Sequence, residues 1–439
     1  VKRHLRFGDR QFSVIASLIP VAANLALTPV LTRTLGTTEY GLWATLIAVL
    51  ASVQLADFGV GSSLLRFMTV TQSREGRLGV SKYLVSASLY FVILASVILV
   101  IVLPWRDALF DFVNARTTSP ELTIVMFFCV VALVPVSTAS VVALQSVGDF
   151  KHAAGVIFCG QVVYALVVIT GAVLLELTVA QVFIAQASQA VLVLSYVAIH
   201  LRTYRSARLL TRGEIREFGL FSSRVWLTNL SSVVVLQLPV IIVASMVSTT
   251  LAGVYGLAAM VAVSLRTLPL MSVAPLIRGL TGSRDEIVSR SIDVDRTWRK
   301  MILAYAGIGA LGIILGLPIL GGAEYTGAIA PSILLFAGYV VQLWGALATI
   351  TARQLGLTAV EWRASALGAG IHLALLWPAI TFLGIFGPGA VLITSQVVTL
   401  IIVRKQFNSF SRDVKPAHSG QPQLDGRSSP NRNYRSESQ

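Results

Sequence analysis

The sequence predicts an all-α polytopic membrane protein, with about 12 transmembrane helices in two pseudo-symmetric six-helix lobes. Three observations carry this. About a dozen apolar runs of roughly 20 residues recur along the 439-residue chain, and about 20 helical residues cross a bilayer core of about 30 Å. The basic residues fall almost entirely in every second gap between those runs. Only 12% of residues are charged, 55% are hydrophobic and the mean hydropathy is +0.78; soluble domains carry about 25% charged residues, so little of the length is left for one.

In chain order, the spans are read at roughly 11–32, 41–62, 81–103, 121–144, 154–175, 178–200, 220–247, 252–276, 301–320, 329–351, 362–383 and 386–404. The basic gaps hold Lys2, Arg3, Arg6 and Arg10; Arg66, Arg74, Arg77 and Lys82; Arg202, Arg205, Arg208, Arg212 and Arg216; and Arg278, Arg284, Arg290, Arg296, Arg299 and Lys300. The alternate gaps hold only Arg33, Arg106 and Arg116. Basic loops are retained in the cytoplasm, so both termini are expected there, in a multi-pass protein of the cell inner membrane. The lobes divide as 1–210 and 211–404. Residues 405–439 are polar, rich in Ser, Asn, Gln, Pro and Arg, and read as a disordered cytoplasmic tail, because they bring too little apolar surface to order themselves.

The net charge of +14 does not point to nucleic acid: topology explains where the charge lies, and no basic patch carries stacking aromatics outside the runs. Cys129 and Cys159 lie inside apolar runs without ligand or disulfide spacing and read as small buried hydrophobes. No cleavable signal peptide is expected, since the first run follows a basic segment, lacks a cleavage site and is long enough to span.

The chain also repeats itself. Phe7-Gly8 is matched by Phe218-Gly219, Pro29-Val30 by Pro239-Val240, Tyr40-Gly41-Leu42 by Tyr255-Gly256-Leu257, Leu65-Arg66 by Ile277-Arg278, and more weakly Gln145 and Gly148 by Gln354 and Gly356. Six spans separate the copies, so both cross in the same direction, related by an axis along the membrane normal.

The stretch Thr28-Pro29-Val30-Leu31-Thr32-Arg33-Thr34-Leu35-Gly36-Thr37-Thr38-Glu39-Tyr40-Gly41-Leu42, the Asp57-Phe58-Gly59 turn with Arg66, and Leu144-Gln145-Ser146-Val147-Gly148-Asp149-Phe150 resemble bacterial polysaccharide exporters, the Wzx-type flippases of lipid-linked oligosaccharides. The layout matches from the first span to about residue 405. The wider superfamily also holds multidrug/cation antiporters and lipid II flippases. The resemblance implies transport of a polyprenyl-pyrophosphate oligosaccharide from the inner to the outer leaflet by alternating access, without covalent chemistry. Its implied partners are that lipid, the bilayer, and a polymerase and other polysaccharide-assembly proteins. Family members often carry an acidic residue near the position of Gln237-Leu238; this chain has none there.

Such a cargo needs cations for its phosphates and amides, hydroxyls and aromatics for its sugars. Arg266 is the first candidate for the pyrophosphate: a guanidinium fork fits phosphate oxygens, and an arginine deep in a span normally faces a polar cavity. The competing reading is a salt bridge inside the bundle, to Asp57. Counted from Tyr255, Arg266 has Ala51 as its counterpart, so the charge is present in one lobe only. Arg224, with Thr228 and Ser231 on its helical face, and Arg33, above Asn24 and Thr28, are further phosphate candidates; snorkelling and a helix C-terminal cation explain them equally well. Asn24, Asn229, Gln237 and Gln342 are candidate sugar or cavity groups. Asp57 is read either as the site of a coupling ion, H+ or Na+, or as a structural partner of Arg66 or Arg266. His372 reads as a satisfied core histidine. Pro29 and Pro239, one in each lobe, read as hinges, since proline removes a helical hydrogen bond. No metal and no other cofactor is expected.

The alternative function is a multidrug/cation antiporter of the same architecture, for which buried carboxylates should outnumber deep basic groups. A membrane polysaccharide polymerase or ligase fits less well, because the longest outer gap, about 104–120, holds no nucleophile–base pair or metal cluster.

Overall fold

The computed structural model describes residues 7–53, 57–105, 108, 120–201, 209–279, 284–354 and 358–412. These residues form helices and no strand: α1 (Phe7–Val53), α2 (Val60–Glu75), α3 (Arg77–Val102), α4 (Pro120–Ser146), α5 (Phe150–Leu174), α6 (Val179–Leu201), α7 (Arg212–Leu236), α8 (Leu238–Met246), α9 (Thr249–Gly279), α10 (Arg284–Gly321), α11 (Ile329–Gln354), α12 (Thr358–Leu383) and α13 (Gly387–Arg412). Short 3-10 segments lie at Leu103–Trp105, Ala323–Ala328 and Gly384–Phe386. Of the expected tail, 405–439, the first residues continue α13 to Arg412, and 413–439 lie outside the described residues.

Among the described residues, nine stretches are long and apolar enough to cross a membrane. One of them, Leu18–Val53, breaks at Gly36 (φ 69°, ψ 178°), a backbone shape that side chains with a Cβ avoid. Another, Arg363–Lys405, contains both α12 and α13. With the shorter apolar Leu230–Met246, these make up the twelve crossings predicted. Apolar side chains cover the flanks: Val100, Val173, Ile199, Ile308, Ile319 and Phe382 are 68–85% exposed, as suits a surface solvated by lipid tails. Cys159, expected to be buried, is exposed, and Cys129 is half-buried.

Two predicted spans are interrupted. The run read as 41–62 leaves α1 at Val53 and restarts as α2 at Val60. Asp57 holds that turn, accepting from the Gly59 and Gly61 amides at 2.6 and 3.0 Å, while Phe58 takes φ 49°. The run read as 220–247 is cut at Gln237, because Pro239 stands in the first turn of α8, where a missing N–H is tolerated.

The helices carrying the repeat meet at one end of the bundle, here the Gly36 end. Gly41 in α1 faces the Thr249 carbonyl, Gly253 in α9 faces the Thr37 carbonyl, and a Cβ on either glycine would overlap that oxygen. The Thr38 and Thr250 hydroxyls are 3.1 Å apart. These reciprocal contacts pair 37, 38 and 41 with 249, 250 and 253, a spacing of 212. Arg66 and Arg278 share that spacing in the sequence. The Tyr40–Tyr255 match is three residues longer; the folded register therefore pairs Tyr40 with Ala252, and Arg266 with Gln54 rather than Ala51. Tyr40 and Tyr255 are both buried at this end, but not as symmetry mates.

A core cluster spanning both halves fills the Gly36 end, with Leu31, Tyr40, Tyr255, Leu317 and Tyr325 among its buried members. The opposite end carries Arg74, Arg77, Lys82, Arg212 and Arg216 and is called the basic end. There α7 starts from a capping box: Thr211 Oγ1 accepts from the Glu214 amide, and Glu214 Oε2 accepts from the Thr211 amide at 2.7 Å. Lys82 of α3 lies 2.8 Å from Glu75 and 3.7 Å from Glu214. Phe218 of α7 packs among Phe67 and Tyr83. The seventh span therefore begins against helices of the first half.

Candidate functional site

Three cavities adjoin the break between α7 and α8. The first, about 430 Å³, is lined by Asp57, Thr138, Ser232 and Gln237 among apolar side chains of α3 and α4. The second, about 420 Å³, is lined by Arg266, Tyr339, Gln342, Thr349, Gln396 and Thr399 together with Ser231, Ser232 and Leu236. The third, about 430 Å³, is lined by Asn24, Gln161, Tyr164, Gln186 and Gln189 together with Leu236 and Gln237. Ser232, Leu236 and Gln237 each line two of them, so the three spaces adjoin one another along this break and are together called the hollow.

Arg266 projects into the second cavity from α9, about 25 Å from its Thr249 end and about 20 Å from its Gly279 end at 1.5 Å per residue. Its Nε donates to Gln342 Oε1 at 2.7 Å, and the guanidinium carbon lies 5.3 Å from the centre of the Tyr339 ring. Amide and aromatic face orient the fork without neutralising it. Among the described residues no carboxylate pairs with it, so the salt bridge to Asp57 weighed from the sequence is not formed. Asp57 is occupied by the backbone amides of its own turn. Arg66 instead lies 4.2 Å above the Phe221 ring.

The third cavity is rich in amides, and it holds the clearest sign of a missing partner. Trp43 Nε1, Gln161 Oε1 and Gln186 Oε1 are buried and have no hydrogen-bond partner among the described residues, while all three side chains line this space. Buried polar atoms are nearly always satisfied; a cluster of unsatisfied ones around a cavity marks a place where water or a polar ligand supplies the missing bonds.

The predicted site residues are thus sorted rather than gathered. Arg266 and Gln342 touch each other. Asn24 and Gln237 share the third cavity, and Gln237 also reaches the first, beside Asp57. Arg33 stands apart at the Gly36 end, its Nη2 donating to the Ile319 carbonyl at 3.2 Å; Thr32 makes a similar bond to the Leu320 carbonyl at 3.0 Å. Pro239 sits at a helix break, whereas Pro29 lies within the continuous stretch of α1 that precedes Gly36. The side chains of Arg224 and Asn229, both on α7, lie outside the described residues. His372 is buried, but neither ring nitrogen has a partner among the described residues, so it is a core histidine without the satisfaction expected of it. Sequence reading missed Gln161, Gln186 and Gln189. Their signal was present: three amides inside two apolar runs, two of them one turn apart.

A helical bundle with this hollow defines a multi-pass membrane transport protein. The chain belongs to the polysaccharide biosynthesis protein family, whose model matches residues 12–278, in keeping with the motifs above. No curated protein matches the chain by sequence. Among solved structures it is similar to an inward-facing multidrug resistance MATE family transporter of the MOP superfamily (15% identity, TM-score 0.71, covering 91% of this chain and 99% of that one). It is also similar to a MATE transporter of Vibrio cholerae (13%, 0.61, 93% and 96%) and to an outward-facing multidrug resistance MATE family transporter (14%, 0.56, 93% and 95%). At these identities the likeness is one of fold.

Proposed function

We propose that the chain flips a polyprenyl-pyrophosphate-linked oligosaccharide from the inner to the outer leaflet of the bacterial inner membrane by alternating access. One observation carries the reading. Among the described residues, a guanidinium without a carboxylate partner and two unpartnered amides line neighbouring cavities that adjoin the α7–α8 break. A pyrophosphate is anionic and suits Arg266; the attached sugars present hydroxyls that suit Gln161, Gln186, Gln189 and Asn24. A drug/cation antiporter would call for free carboxylates on these walls. Asp57 is the one carboxylate lining them among the described residues, so carboxylates do not outnumber the basic groups there.

The basic end is taken as cytoplasmic by the positive-inside rule, which leaves both termini in the cytoplasm and sets the Gly36 end outward. The interlocked Gly41 and Gly253 close that outer end. The higher TM-score to an inward-facing transporter than to an outward-facing one supports a hollow open to the cytoplasm, ready to receive cargo. Arg224 is assigned to headgroup uptake, Arg33 to release, and Asp57 to a coupling H+ or Na+. Residues 1–210 and 211–404 are the two lobes that rock.

The test is reconstitution into vesicles with a fluorescent lipid-linked oligosaccharide and a measurement of its passage between leaflets. Arg266→Ala and Gln186→Ala should both slow passage. Normal rates in both variants would remove the proposal. Asp57→Asn should abolish any acceleration by an imposed proton or sodium gradient.

A further inference from the structure

Outside the hollow, the folded chain assembles a set of metal-ligating side chains that the linear sequence keeps apart. Asp149 ends the turn between α4 and α5, His152 stands in the first turn of α5, and His200 closes α6, 51 residues after Asp149. His152 Nδ1 lies 2.5 Å from Asp149 Oδ1, and His200 Nε2 lies 3.0 Å from Asp149 Oδ2. The two imidazole centres are 4.5 Å apart. One ligand atom from each of the three residues lies within 4.8 Å of the other two.

Asp149 also caps α5, accepting from the His152 amide, and a helix cap alone would account for that carboxylate. It does not account for His200, which comes from a different helix. Nor does it account for Tyr196, which stacks on both imidazoles, at 5.5 Å and 10° to His200 and 6.4 Å and 28° to His152. The tyrosine ring packs against both imidazoles that face the one carboxylate. Two imidazoles and one carboxylate are a three-ligand set suited to a divalent transition ion, with an open position left for water. The three side chains are 28–46% exposed, so an ion can reach them.

We propose that Asp149, His152 and His200 bind Zn²⁺ at the basic end, fastening the α4–α5 turn to the end of α6. The ion braces the rim of the first half and takes no part in cargo binding.

The experiment uses the full chain, purified in detergent with a tag free of histidine and stripped of metal by chelator. Calorimetry should find one saturable Zn²⁺ per chain, and Co²⁺ should give the visible absorption of a low-coordinate site. His152→Ala and His200→Ala should each weaken binding by at least ~10-fold, since even loss of an outer-shell partner costs that much. Asp149→Asn keeps a good helix cap, so it should leave the fold intact and still lose the ion. Zn²⁺ should raise the melting temperature of the parent chain and not of these variants. Absence of saturable binding, or binding that His152→Ala and His200→Ala leave unchanged, overturns the site.

Discussion

At the scale of single residues, the decisive contrast is between polar groups with partners and those without. Among the described residues Arg266 holds one bond to Gln342 and faces the Tyr339 ring, which leaves most of its donors without a described partner and available to an anion. Removing a charge-assisted hydrogen bond costs about 1.5–3 kcal/mol, so Arg266→Ala should slow leaflet exchange of a pyrophosphate lipid by about 10- to 100-fold, and Arg266→Lys should recover part of the rate. The unpartnered amides lead to the opposite expectation for stability. Gln161→Leu removes a buried acceptor that nothing among the described residues satisfies and should raise the melting temperature, while transport falls; a simple packing residue would lose both together. Glu214 shows a third kind of group. The Thr211 amide it accepts from, then the Thr211 hydroxyl and Lys82, hold its carboxyl below the usual range against the opposing push of burial. A carboxyl lowered on folding stabilises above its unfolded value, near 4.5, and loses that contribution as pH falls through the folded value. Acid melting curves of Glu214→Gln should therefore converge with those of the parent below that range and lie beneath them at neutral pH.

At the scale of elements, hydropathy made the helices legible and left their interruptions hidden. An apolar run announces a span because lipid demands about 20 internally bonded residues. It does not announce that Asp57 turns the chain with its own backbone bonds, so the predicted span 41–62 ran through a break. Pro239 did signal the second break, and Pro29, the same residue type, did not make one. The match of Tyr40 to Tyr255 misled because apolar helices offer many chance alignments. Only the pairing of Gly41 with Gly253 across the interface fixes the register. The amides of the third cavity were visible one by one in the sequence, but which way each faces depends on helix rotation, and apolar surroundings on all sides hide that. The glycine pair also gives a direct expectation. Gly41→Val would drive a side chain into the Thr249 carbonyl and should destabilise the closed Gly36 end. Labelling of a cysteine placed at Thr250 should then rise sharply from that side of the membrane.

At the scale of the whole molecule, the halves touch closely at the Gly36 end and enclose the hollow below it. In a background with Cys129 and Cys159 replaced by serine, Thr38→Cys with Thr250→Cys should cross-link readily, since the parent hydroxyls are 3.1 Å apart. Oxidation should stop leaflet exchange and reduction should restore it; exchange that continues under full cross-linking would mean that this end never opens. The seventh span gives the arrangement a mechanical meaning. It is rooted by Phe218 against α2 and α3, it is severed at Gln237, and the residues around that joint contribute to the walls of all three chambers. On the proposed alternating access, a helix anchored in one half and jointed beside the cargo chambers would work as a crank. Whatever fills those chambers would then press on the joint, making loading and tilting a single motion without any relay of side chains between distant sites.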